Sequence, residues 1–161
     1  MRIAADLHDI GKLMVSNSIL DKPGSLTEEE FLEVKGHTFH TRKVLKKIRG
    51  FEEITEWASN HHERINGTGY PYGISGDRLD RNSRIMACVD IYQALTEERP
   101  YRPPMKHDKA IAIMKEMADN QFIDAKIVED INKLFRTSSQ LYMYHLIYKN
   151  YQENRDKGKS N

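Results

Sequence analysis

The first apolar residues of the chain recur at helical spacing. Steps of three or four residues place four apolar side chains on one face of a helix over residues 3–13: Ile3, Leu7, Ile10 and Met14. The pattern therefore predicts that the chain opens with an amphipathic helix whose apolar side is buried.

A second helical segment follows a Pro-Gly turn. Thr27 and Glu30 have the spacing of a capping box, in which the two side chains bind each other's backbone N–H groups at the start of a helix. Apolar residues continue at helical spacing to about Ile48, and another amphipathic stretch covers residues 51–62. We expect helices in both stretches, with His61 and His62 at the end of the second.

Two irregular stretches interrupt the helical pattern. Residues 66–76 contain four glycines and a proline, and residues 99–104 contain three prolines, so both are predicted to be loops. Between them, Asn82 and Ser83 are expected to cap a helix that extends to Leu95. Both loops are longer than a mere connector needs, which indicates a functional role.

Helical periodicity returns in residues 107–118 and 124–135, and no stretch of clean alternation longer than four residues predicts a strand. The sequence thus predicts an all-α fold, a helical bundle with two long loops. We expect a domain over residues 1–136, a Tyr-rich helix over residues 137–152 and a disordered polar tail over residues 153–161.

Composition narrows the class of protein. The chain has 161 residues, and its 25 basic and 24 acidic side chains give a net charge of +1, which offers no electrostatic case for DNA binding. A single cysteine, Cys88, excludes a disulfide scaffold and a Cys-rich zinc module. No apolar run is long enough for membrane insertion, and the first residues do not resemble a secretory signal. We expect a single-domain protein of the cytoplasm.

Histidine and aspartate pairs are the candidate chemical groups. His8 precedes Asp9, His61 precedes His62, and Asp90 lies in an otherwise apolar helix, where a carboxylate is costly unless it is paired or binds a cation. Such ligands without thiolates favour iron, manganese or zinc. Taken singly, each of these signals is weak.

The His-Asp pair also suits a dinuclear site. Adjacent side chains on a helix point about 100° apart, so His8 can bind one ion while Asp9 bridges to a second. Two such ions together bind a hydroxide and a phosphate, which is the chemistry of phosphoester hydrolysis. Lys12 follows His8 by four residues, so on a helix it would share that face and neutralise a phosphoryl oxygen.

Six short motifs occur in a fixed order along the chain and together resemble those of one protein family. They are residues 7–12 (LHDIGK), 19–27 (ILDKPGSLT), 35–38 (KGHT), 61–71 (HHERINGTGYP), 84–96 (RIMACVDIYQALT) and 99–102 (RPYR). In this order they resemble the HD-GYP family, a branch of the HD-domain phosphohydrolases, over roughly residues 4–135.

The resemblance implies an all-α domain that binds two or three iron or manganese ions and hydrolyses the bacterial second messenger cyclic di-GMP to the linear dinucleotide or GMP. Asp9 would bridge the ions, and Asp9 and Lys12 would be the catalytic residues. The metal ligands it implies are His8, Asp9, His37, His61, His62 and Asp90. The substrate-binding residues it implies are Lys12, Gly69, Tyr70, Pro71, Arg99 and Arg102.

The chain departs from the family chiefly at its start. The family supplies another His, and in trinuclear members a Glu, from a helix well upstream of the His-Asp pair, whereas this chain has seven residues before His8. We therefore expect either a fragment of a longer protein or an incomplete metal site. Smaller departures at Asn66, Asp80 and Gln93 touch no implied ligand.

Several alternatives stay open. The chain could instead be a weak or inactive binding module that docks a nucleotide, or a partner protein at the Gly-Tyr-Pro loop, or it could hydrolyse another nucleotide. The Tyr-rich stretch is interpreted as a packing face, with a homodimer contact as the alternative. Glu63 either orients a ligand histidine or is solvated. His107 and His145 are expected to lie outside the site, and His40 is interpreted as a surface or hydrogen-bonded residue, with a ligand role as the alternative.

Overall fold

The computed structural model describes residues 1–98 and 103–136, and the all-α prediction is confirmed over that part. Its helices are α1 (Arg2–Leu7), a 3₁₀ helix (Ile10–Met14), α2 (Asn17–Leu20), α3 (Glu28–Leu45), α4 (Glu52–Ser59), α5 (Arg81–Thr96) and α6 (His107–Asp119). Residues 125–136 form a further helix, α7. Every helix of this part is too short or too polar to span a lipid bilayer. The candidate site lies within the compact unit Met1–Val128.

Helix α3 is the central element of the site. It begins with the predicted capping box, because the Thr27 side chain accepts from the Glu30 N–H and the Glu30 carboxylate accepts from the Thr27 N–H. Basic residues in its last turn complement the helix dipole. Its inward face is polar near the middle and apolar at the end, with His37, Thr38, Thr41 and Leu45 buried.

A small apolar core joins four helices. Ala4 of α1, Leu45 of α3, Ala58 of α4 and Met86 of α5 are buried together. Partly buried side chains surround them: Leu7, Ile10, Phe51, Ile54 and Trp57. Two of the four buried residues are alanines, so the helices approach closely, and the 3₁₀ helix and α4 both lie against α3.

The predicted opening helix over residues 3–13 is wrong. Helix α1 ends at Leu7, and a separate 3₁₀ helix begins at Ile10. Ile3 and Met14 are 48% and 63% exposed, so they share no buried face. The cause is tertiary: the Thr41 hydroxyl of α3 donates to the His8 carbonyl and accepts from the Gly11 N–H, which takes both groups out of a helical ladder.

Other helix boundaries differ from the prediction by a turn or less. Helix α4 ends at Ser59, so His61 and His62 lie in the turn that follows it. Helix α5 is capped by Asp80, whose carboxylate accepts from the N–H groups of Asn82 and Ser83. The predicted caps Asn82 and Ser83 are therefore wrong: both lie inside the first turn of α5, where their N–H groups are bound by the Asp80 carboxylate. The Tyr-rich stretch and the polar tail lie outside the described residues.

Candidate functional site

Six side chains from four places in the chain converge at one end of the core. The turn after α1 supplies two, α3 supplies one, the turn after α4 supplies two, and α5 supplies one: His8, Asp9, His37, His61, His62 and Asp90. These are the six that the resemblance implies as metal ligands. Their role as ligands stays a prediction.

Asp9 lies at the middle of the cluster. Its Oδ1 is 3.3 Å from Nε2 of His37 and 4.0 Å from Nε2 of His61. Its Oδ2 is 3.5 Å from Nε2 of His8 and 2.6 Å from Nζ of Lys12. The two oxygens thus face different histidines, which is the arrangement that a bridging carboxylate requires.

Backbone carbonyls fix the orientation of three imidazoles. In His8, His37 and His61, Nδ1 lies 2.6–2.7 Å from the carbonyl oxygen of the residue three positions earlier. A carbonyl only accepts, so Nδ1 carries the proton in each ring, and a neutral ring presents a bare lone pair at Nε2. All three Nε2 atoms point into the same space, and those of His37 and His61 are only 3.4 Å apart.

The cluster is therefore rich in acceptors and poor in donors. Two bare Nε2 atoms cannot hydrogen bond to each other, and in the described part of the chain Oδ1 of Asp9 is buried without a hydrogen-bond partner. Such groups are costly to bury unless a cation lies between them. A proton is a poor candidate at His61 and His62, because burial lowers the pKa of His61 well below its ordinary value and that of His62 to about 4.

The spacing of the acceptors fits metal ions. Two ligand atoms that are each about 2.1 Å from one ion, at tetrahedral or octahedral angles, lie about 3.0–3.4 Å apart. Separations of 3.3–3.5 Å join Asp9 to His37 and to His8, and His8 to Asp90. Two overlapping groups each have their ligand atoms within 4.8 Å of one another: His37, His61 and His62, and His8, Asp9 and His61. The donor set thus fits two neighbouring divalent ions.

The two carboxylates stay ionised in this environment. Burial alone raises the pKa of Asp9, but the hydrogen bond and the charge of Lys12 oppose it, and the pKa stays below its ordinary value. Burial likewise raises the pKa of Asp90, and His8 more than offsets it. The Asp90 carboxylate in turn raises the pKa of His8, against the effect of burial. Both aspartates are therefore anionic at neutral pH, as metal ligands must be.

Lys12 lies beside Asp9 rather than on a helix face shared with His8. The 3₁₀ turn brings its ammonium to Oδ2 of Asp9, and its side chain is 43% exposed. The expected helix geometry is therefore wrong, but the positive charge is still at the mouth of the cluster. A side chain that is part exposed in this place can reach an incoming anion.

The loop that contains Gly69, Tyr70 and Pro71 packs against the cluster. The Tyr70 ring centroid is 4.8 Å from that of His62. Gly69 has no room for a side chain, because a Cβ there would lie 2.5 Å from Cα of Glu63. Close backbone packing thus explains why residue 69 is a glycine. Of the three loop residues, Tyr70 is the one that contacts a ring of the cluster.

The solvated alternative for Glu63 is wrong, and its carboxylate is hydrogen bonded to the loop. It is 2% exposed, so it is not solvated. Its two oxygens accept from the N–H groups of Tyr72 at 2.7 Å and Ile74 at 2.9 Å, so it binds the loop and not a histidine. The sequence does not predict that Glu63 binds the loop, because its burial depends on how the loop folds back.

The remaining candidates lie apart or outside the described residues. His40 contacts Phe39 and His107 contacts Tyr92, and neither belongs to a group of ligand atoms within the described ranges. Arg99, Arg102 and His145 are not among the described residues. Sequence reasoning missed Thr41, whose hydroxyl ties the His-Asp turn to α3.

Comparison with known proteins identifies the family of the chain. The family model described as HD domain matches residues 1–127. A 3'3'-cGAMP-specific phosphodiesterase of Vibrio cholerae is 51% identical over 116 residues, which is 72% of this chain and 25% of that protein. A cyclic di-GMP phosphodiesterase of Pseudomonas aeruginosa is 39% identical over 115 residues, which is 71% of this chain and 28% of that protein.

A third relative covers more of the chain. A cyclic di-GMP phosphodiesterase of Thermotoga maritima is 33% identical over 144 residues, which is 88% of this chain and 39% of that protein. This chain thus spans between a quarter and two fifths of the length of these relatives. The resemblance that the motifs predict is confirmed, and the chain belongs to the HD domain family.

Proposed function

We propose that this chain is a metal-dependent phosphodiesterase domain that hydrolyses a cyclic dinucleotide. The observation that carries the proposal is the cluster of ionised aspartates and bare imidazole nitrogens around Asp9, whose spacing fits two divalent ions. The names of the relatives, which are phosphodiesterases of cyclic di-GMP or 3'3'-cGAMP, support this substrate class.

The distances support a division of the ligands into two groups that share His61. His8 and Asp90 would hold one ion, His37, His61 and His62 would hold the other, and Asp9 would bridge them. Imidazole and carboxylate ligands without thiolates favour iron, manganese or zinc, and the resemblance to the HD-GYP branch favours iron or manganese among them. Bound ions would supply Lewis acidity, polarising the phosphoryl oxygens and lowering the pKa of water.

The chain's own side chains would bind and orient the phosphodiester. The Lys12 ammonium lies beside Asp9. We assign it the role of neutralising the negative charge on a non-bridging phosphoryl oxygen of the substrate. The loop of Gly69, Tyr70 and Pro71 would border the bound dinucleotide. Arg99 and Arg102 are proposed substrate contacts on the strength of the resemblance alone.

The identity of the dinucleotide has two candidates. We put cyclic di-GMP first, because the motifs resemble the HD-GYP branch and most of the cited relatives bear that substrate in their names. The relative with 51% identity is named for 3'3'-cGAMP, which makes that dinucleotide the second candidate. The products would be the linear dinucleotide or the mononucleotides.

The test is hydrolysis by the purified chain with manganese or ferrous iron. Cyclic di-GMP, 3'3'-cGAMP and cyclic di-AMP are supplied separately, products are separated by chromatography, and bound metal is measured by elemental analysis. Asp9→Asn should abolish turnover and metal retention, whereas Asp6→Asn, a matched change at an exposed aspartate of α1, should alter neither. A chain that retains no ion and cleaves none of the three dinucleotides would overturn the proposal.

A further inference from the structure

His62 differs from the other histidines of the cluster in how it is held. His8, His37 and His61 each donate Nδ1–H to a backbone carbonyl. Within residues 1–98 and 103–136, neither ring nitrogen of His62 makes a hydrogen bond, and the residue is only partly buried. An imidazole with no such bond is free to rotate unless packing holds it, and rotation would displace its lone pair.

Ring packing takes the place of the missing hydrogen bond. The Tyr70 ring lies 4.8 Å from the His62 ring at an angle of 36°, and the His61 ring lies 4.1 Å from the His62 ring at 45°. The backbone is tied as well, since the Tyr70 N–H donates to the His62 carbonyl at 3.1 Å. On the Tyr70 ring, the Lys35 ammonium lies 5.3 Å from the centroid, so this ring is itself held by a cation–π contact.

A buried carboxylate fixes the loop that carries Tyr70. Glu63 follows His62 directly, is 2% exposed, and accepts the N–H groups of Tyr72 and Ile74 at 2.7 Å and 2.9 Å. Hydrogen bonds to an ionised acceptor are roughly twice as strong as neutral ones. The backbone packs so closely here that a Cβ on Gly69 would lie 2.5 Å from Cα of Glu63. The loop therefore closes on the residue next to the histidine that it covers.

We propose that Glu63 and Tyr70 are positioning residues for the His62 imidazole. Glu63 clamps the loop, the clamped loop holds the Tyr70 ring against His62, and the ring does for His62 what carbonyl oxygens do for the other three histidines. The inference rests on the proposed metal site. On this proposal the Tyr70 ring orients a metal ligand, and the Tyr70 hydroxyl has no part in that role.

The expected effects follow from this order of contacts. Loss of a group that orients a metal ligand typically costs 10-fold to 100-fold in metal affinity. Tyr70→Leu and Glu63→Gln should each weaken the ion held by His62 by about that factor and leave the other ion unchanged. Tyr70→Phe keeps the ring and should bind as the wild type does. The matched control is Tyr72→Leu, because the Tyr72 ring faces Arg42 instead of a histidine.

The experiment is calorimetric titration of each variant with Mn²⁺, in the absence of nucleotide. The double variant Glu63→Gln with Tyr70→Leu should bind no more weakly than Tyr70→Leu alone, because both changes act through the same ring. Thermal unfolding followed by circular dichroism verifies that each variant is folded. Should Glu63→Gln fail to fold, the comparison of Tyr70→Leu, Tyr70→Phe and Tyr72→Leu decides the matter.

The outcomes separate the two proposals. A wild-type chain that binds no Mn²⁺ refutes the proposed function, and this inference with it. Wild-type binding together with unchanged affinity in Tyr70→Leu refutes the inference alone. Equal losses in Tyr70→Phe and Tyr70→Leu would show that the hydroxyl matters and not the ring, which also overturns it.

Discussion

The contact between Gly11 and α3 sets the position of the His-Asp turn, and Gly11→Ala tests it. A Cβ at this position would lie 1.9 Å from the carbonyl oxygen of His37 and 2.6 Å from the N–H nitrogen of Thr41. Both are backbone atoms in the middle of α3, so neither can move aside alone. The added methyl group must push the 3₁₀ helix away from α3.

The cost of that shift can be worked out from the contacts. Overpacking of a tight interior contact costs about 1–3 kcal/mol. A displaced segment also loses the bond from the Gly11 N–H to Thr41 and the bond from Thr41 to the His8 carbonyl. At about 0.5–1.5 kcal/mol each, these add about 1–3 kcal/mol. The free energy of unfolding should therefore fall by about 2–6 kcal/mol.

Gly36→Ala is the matched control within α3. A Cβ at Gly36 meets nothing closer than the His40 ring at 3.9 Å, which is ordinary van der Waals contact. Alanine in a helix interior is favoured over glycine by about 0.5–1 kcal/mol, so this variant should be more stable than the wild type. The same chemical change is thus expected to act with opposite sign at the two positions.

Urea unfolding followed by far-ultraviolet circular dichroism measures both variants, and Mn²⁺ titration reports on the cluster. Gly11→Ala should also weaken metal binding, because the same turn carries Asp9. If Gly11→Ala unfolded at the same urea concentration as the wild type, the close approach would not be a constraint. The account of how the His-Asp turn is held would then be wrong.

Three further predictions have direct readouts. Thr27→Ala removes the cap of α3 and leaves the Glu30 N–H without its partner. The free energy of unfolding measured in urea should therefore fall by about 0.5–2 kcal/mol, and an unchanged midpoint would contradict the capping box. Elemental analysis should show that Asp9→Ala loses both ions, whereas Glu63→Ala should weaken the binding of only one ion. Equal metal content in Asp9→Ala and the wild type would exclude the bridging role of Asp9. Lys12→Met should keep its metal but lower kcat about 100-fold or more, because the lysine charge offsets that of the phosphoryl group. If this variant hydrolysed a cyclic dinucleotide at the wild-type rate, Lys12 would have no part in the mechanism.

The sequence by itself determined what depends on neighbours along the chain. The capping box of Thr27 and Glu30 could be predicted because both of its hydrogen bonds form within one helical turn. The loop over residues 66–76 could be predicted from its glycines and proline, and the helix types from apolar spacing. The six cluster residues were identified by the order of motifs, which fixes residue types but not distances.

Only the tertiary structure decided what depends on contacts between distant segments. The opening helix breaks after Leu7 because Thr41, more than thirty residues away, binds the backbone of the His-Asp turn. That break places Lys12 beside Asp9, where spacing along a helix had placed it beside His8. Glu63 is buried because the loop returns to it, and periodicity carries no information about a carboxylate whose partners are backbone N–H groups 9 and 11 residues later.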